Sequence, residues 1–113
     1  MTRRKLFLLV LAPLLLLAGA GNGSKDVTTA GTAERLVAAR LPVVSFVACA
    51  KSTNTDDVYV GGSSVAATNS PALAASDCQE YSAIDDTNRY DLYQFWVNSA
   101  VNGEGVTFTW FTR

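Results

Sequence analysis

The chain contains no histidine. That absence removes Ser–His and Cys–His nucleophile pairs and most zinc sites in one step. Cysteine is scarce as well, with only Cys49 and Cys78 among 113 residues. Beyond the first five positions no basic residues cluster, so a nucleic-acid backbone or an anionic membrane has nothing to grip. There is no P-loop and no dinucleotide-binding glycine pattern. Gly61-Gly62 and Gly103-x-Gly105 are too short to cradle a phosphate and stand where turns use glycine. Neither cofactor nor metal is expected.

What is present begins with a leader. MTRRK is a short basic start, residues 6–20 are apolar and interrupted only by Pro13, and Ala18-Gly19-Ala20 supplies small residues at the exit. This order reads as a secretory signal peptide over residues 1–20. The run falls short of the roughly 18 to 20 residues that cross a bilayer. Gly21, not cysteine, follows the cleavage point, which argues against a lipoprotein. Cleavage removes Arg3, Arg4 and Lys5 from nine basic residues and none of ten acidic ones, leaving a net charge of about −4. The expected product is one small domain, secreted or periplasmic, of a size that buries only a modest core. Residues 21–31, rich in glycine and polar groups, read as a flexible lead-in, and residues 32–113 as the domain. Asn22-Gly23-Ser24 is formally a glycosylation sequon.

In an exported chain, two cysteines read as one disulfide, Cys49–Cys78. Thr32 can cap a helix over residues 33–41, with Glu34 in its first turn, Arg40 in its last, and Ala33, Leu36, Val37 and Leu41 on one face. Pro42 would end it. PVVSFVACA then reads as a central strand apolar on both faces, VYVGG and CQEYSAI as further strands, and KSTNTDD and DDTN as turns. Between them, residues 63–77 form a long loop that the disulfide would staple.

Seven of the ten aromatics outside the leader fall between Tyr90 and Phe111. Asn102-Gly103 sits between two apolar runs there, which points to a tight hairpin. A two-residue turn would set Val97 opposite Phe108, Phe95 opposite Trp110 and Tyr93 opposite Thr112. Gln94, Trp96, Asn98, Thr107 and Thr109 would then share the other face. The expected fold is α+β: one short N-terminal helix on an antiparallel sheet of about five strands, with an all-β sandwich as the alternative. In element order a helix followed by such a sheet resembles the cystatin type of architecture. That family's glutamine-valine-glycine loop is missing, so no functional residue is carried over from it.

Paired acids (Asp56-Asp57, Asp85-Asp86, Asp91) could serve a carboxylate hydrolase or calcium, but they lie in turns, which favour Asp and Asn for local reasons. The leading expectation is a non-enzymatic binding module. It would recognise an extracytoplasmic protein or glycan through Gln94, Trp96, Asn98, Thr107 and Thr109, one large ring among short polar groups. The alternatives are an assembly subunit, self-association included, that pairs through residues 106–113 as an edge strand, and a small hydrolase.

Overall fold

The computed structural model describes residues 19–83 and 89–112. The first eighteen leader residues, the DDTN turn and Arg113 lie outside them. Among the described residues nine strands follow in order: β1 (Ala20–Asp26), β2 (Glu34–Arg35), β3 (Pro42–Val43), β4 (Ser45–Ala50), β5 (Val58–Gly61), β6 (Cys78–Ser82), β7 (Tyr90–Asp91), β8 (Trp96–Ser99) and β9 (Gly105–Phe111). They build a four-stranded sheet β1-β9-β4-β6, a three-stranded sheet β2-β8-β5 and a β3-β7 pair, with every pairing antiparallel. Buried Phe46, Ala48, Val106 and Phe108 of the first sheet and Val58, Val60 and Val97 of the second belong to one apolar cluster. The architecture is therefore the all-β alternative.

The expected helix is absent. Among the described residues the one helical element is a three-residue 3-10 turn, Leu92–Gln94, and no helix is long and apolar enough to cross a membrane. Glu34 and Arg35 instead pair with Val97 and Trp96, and the Leu36 amide donates to the Phe95 carbonyl at 3.0 Å. Leu36 is buried, and Val37 and Leu41 pack partly against the core, but on a bent, non-helical path. A helix of about nine residues is marginal alone, and tertiary pairing overrides so weak a local preference. The likeness in element order to cystatins goes with it.

The expected hairpin register is also corrected. Antiparallel, hairpin-like pairing runs through the molecule, but β8 and β9 do not pair with each other. The turn is real, with Gly103 at φ 88°, yet the chain crosses there from one sheet to the other. β8 joins β2 and β5, while β9 lies between β1 and β4. Val97 faces Val60 and Glu34, and Phe108 faces Gly23 and Ala48.

The glycine-rich stretch read as a lead-in carries β1. Its seven residues pair with β9 from Ala20↔Phe111 to Asp26↔Gly105. Gly21 and Gly23 stand opposite Trp110 and Phe108, whose rings lie over the strand where side chains would otherwise project. A Cβ on Gly23 would come within 2.6 Å of the Phe108 ring. The aromatic partner thus supplies the apolar volume that the glycine lacks.

β4 is central, as expected, but covered on one face only. Phe46, Ala48 and Ala50 are buried and alternate with half-buried Val47 and Cys49. Cys49 faces Cys78 across the β4–β6 ladder, and the two form the disulfide, 29 residues apart in sequence. The long loop it closes is further tied by the Val58↔Leu73 bridge and by Asn69, which accepts from the Ala66 amide and donates to the Ser64 carbonyl.

Two outcomes follow for stability. Loop closure over this span is worth about 3.5 kcal/mol, so the Cys49→Ser/Cys78→Ser double variant should lose about 2–4 kcal/mol in urea unfolding. Gly23→Ala should cost about 1–3 kcal/mol through overpacking against buried Phe108. Gly21→Ala should cost less, because the half-buried Trp110 can swing outward, and its tryptophan emission should shift to the red.

Candidate functional site

The five residues expected to form one surface lie on two. Gln94 ends the 3-10 turn and is exposed, while Trp96 and Asn98 sit on the outer face of β8. Thr107 and Thr109 sit on the outer face of β9 in the other sheet, where the Thr109 hydroxyl donates to Asn22 Oδ1 at 2.9 Å. Asn98 is 7% exposed and hydrogen-bonded at both its nitrogen and its oxygen. Its amide nitrogen donates to the Val65 carbonyl, and its Oδ1 accepts from the Ser99 amide. Residues 62–70 fold over this half of the sheet, placing Val65 against Gly61, and border a half-open pocket of about 190 Å³ beside Tyr59, Ala66 and Asn98.

The other half of that face stays open and carries a different constellation. The Arg35↔Trp96 register aims both side chains outward. The Arg35 guanidinium lies 3.7 Å from the Tyr93 ring centroid and 4.6 Å from that of Trp96. Its Nη1 also donates to the Tyr93 carbonyl. Each ring attracts the cation by about 0.5–2 kcal/mol, so the three side chains hold one another in place. All three are half-buried. Beside them opens a groove of about 430 Å³ lined by Lys25, Arg35, Leu36, Val37, Ala38 and Tyr93.

Sequence reasoning missed Arg35 and the outward role of Tyr93. Nothing local marks Arg35, which lies within the segment whose spacing suggests a helix. Its partner becomes visible only through a strand pairing across sixty residues.

The carboxylates near this region are bound internally. Glu34 accepts from the Thr28 and Thr29 amides at 2.9 Å and from the Thr28 hydroxyl, and it pairs with Lys25 Nζ at 3.1 Å, across the rim between the sheets. Burial pushes its pKa up. The Thr29 amide, Lys25 and Thr28 together outweigh that push and hold it below the ordinary value. Asp91 Oδ1 accepts from the Leu41 and Tyr93 amides, and Oδ2 lies 3.1 Å from Arg40 Nε without hydrogen-bond alignment. The Leu41 amide does most to lower its pKa, against burial, with Tyr93, Arg40 and Arg35 assisting.

The hinge at residues 51–57 is likewise engaged. Glu104, 6% exposed, accepts from the Thr55 and Asp56 amides and the Thr55 hydroxyl. Asn54 exchanges both amide hydrogen bonds with the Gly105 backbone. Among the described residues no three His, Cys, Asp or Glu side chains gather as a metal site would require. The strand expected at a sheet edge, β9, has both edges taken; that sheet ends in β1 and β6.

Glu34 and Asp91, with folded-state pKa values below the unfolded ones, contribute stability that is complete above the ordinary carboxylate range, about pH 4. It is lost as pH falls through the lowered values. Glu34→Gln should therefore be less stable than wild type at pH 7 and less sensitive to acid. The two unfolding curves should converge toward low pH.

No family model, curated protein or solved structure matches the chain.

Proposed function

We propose that this chain is a secreted, non-enzymatic binding module that holds an extracytoplasmic protein against the open half of its three-stranded sheet. The observation that carries this reading is the Arg35 guanidinium held within cation–π distance of both Tyr93 and Trp96 on that face. Trp, Tyr and Arg are the residues that dominate protein interfaces, and a cluster already ordered loses little side-chain entropy on binding. The disulfide fits an oxidising compartment, in keeping with the leader.

Two observations favour protein over glycan and over catalysis. The Asn98 amide, which would have directed sugar hydroxyls, is spent on Val65 and Ser99. Glu34 and Asp91 are held toward ionisation, opposite to the raised pKa a general acid needs.

The test is cross-linking of the mature chain to proteins secreted by its own cells, followed by affinity measurement for each captured partner. Trp96→Ala and Tyr93→Ala should each weaken binding roughly tenfold or more, a loss of about 1.4 kcal/mol, with the disulfide and fold intact. A partner bound equally by both variants, or binding confined to a glycan panel, would falsify the reading.

A further inference from the structure

We propose that Arg35 recognises a carboxylate, and that the partner segment laid along the groove beside it is an acidic peptide with apolar neighbours. The inference rests on the docking surface just described and specifies its chemistry.

Three ion pairs engage other cations: Lys25 with Glu34, Arg40 with Asp91, and Lys51 with Asp26. Among the described residues Arg35 forms none. Its one hydrogen bond runs from Nη1 to the Tyr93 carbonyl, so Nε and Nη2 keep their donors without a partner there. The Tyr93 and Trp96 rings both lie within cation–π distance of the guanidinium, and the N–H donors it does not use remain for polar contact. A guanidinium edge matches a carboxylate in plane, with two parallel hydrogen bonds. The two ring contacts and the Tyr93 carbonyl restrain the side chain before any ligand arrives, so part of the ordering cost of a long flexible side chain is already met.

The groove sets the rest of the ligand. Lys25 lines it too, but its charge is balanced by Glu34, which stays ionised. Arg35, whose charge assists Asp91 only at longer range, is thus the cation of the groove without an ion pair. Leu36, Val37 and Ala38 form the remaining wall, and at about 430 Å³ the space exceeds what a small inorganic anion would fill. An acidic residue flanked by apolar ones satisfies both parts; a free phosphate satisfies only one.

The test is selection of a displayed library of random linear peptides on the mature, disulfide-bonded chain. Affinities are then measured for synthetic peptides. Peptides that bind through this face should lose binding in Trp96→Ala, be enriched in Asp and Glu, and weaken roughly tenfold in Arg35→Gln. Arg35→Lys, which keeps the charge and loses the planar fork, should fall between. Replacing the peptide's own Glu by Gln should cost a similar factor against the unaltered protein, so the result does not depend on how well any variant folds. Trp96-dependent peptides that carry no acid, or that bind Arg35→Gln unchanged, overturn the carboxylate assignment and leave the docking surface standing. Inorganic phosphate that displaces the peptides with comparable affinity also overturns it. If no Trp96-dependent peptide emerges, the assignment and the docking surface fall together.

Discussion

Glu104 brings a carboxylate into the interior at the point where the chain leaves one sheet for the other. Three hydrogen bonds from Thr55 and Asp56 receive it, and Asn54 clasps the next residue's backbone on both sides. From the opposite flank the Gly103 amide donates to the Val27 carbonyl, the Val27 amide to the Glu104 carbonyl, and the Ala30 amide to Asn102 Oδ1. The crossing is thus gripped by two segments distant in sequence. A buried carboxylate without such partners would be costly by several kcal/mol. The hydrogen-bonded one decides where β9 begins, and hence which sheet it enters.

That decision distributes the aromatics. With β9 between β1 and β4, Trp110 and Phe108 turn inward over glycines, and Trp110 stands in register with Phe46. Phe46 in turn stacks on Tyr81 and meets Phe95 and Tyr90 edge-on. Phe95 therefore goes to the core, while Tyr93 and Trp96, on either side of it, are left outside with Arg35. Had β8 and β9 paired as a hairpin, Trp96 would have shared a face with Thr107 and Thr109. The crossing instead puts those threonines on the far side of the molecule.

How legible this was depends on whether the controlling contact was local. The disulfide followed from counting cysteines in an exported chain, and the turn at Asn102-Gly103 from its own chemistry. β4, β5, β6 and β9 carry enough branched and aromatic residues to show as strands. β1 carries almost none, because its apolar complement belongs to Trp110 and Phe108 more than eighty residues away. The 33–41 segment satisfies helical spacing, yet its amides and side chains are claimed by Phe95, Thr28 and Trp96. No local pattern could have weighed those claims. Asn98 seemed a displayed amide only because nothing near it announces that Val65 will cover it.

The same bookkeeping explains why recognition concentrates where it does. Glu34, Asp91 and Glu104 all turn their carboxylates to backbone amides, and these contacts fasten loops to strands. An acid used in this way is no longer available to a ligand. Among the described residues Lys25, Arg40 and Lys51 meet carboxylates, whereas Arg35 lies beside two aromatic rings and donates to one carbonyl. Aromatic rings hold a guanidinium in position without neutralising it. The chain thus restrains Arg35 without giving it an ion pair, so that its charge, felt only distantly by Asp91, can still meet a carboxylate from outside. It does so on a face that its own covering loop, residues 62–70, stops short of closing.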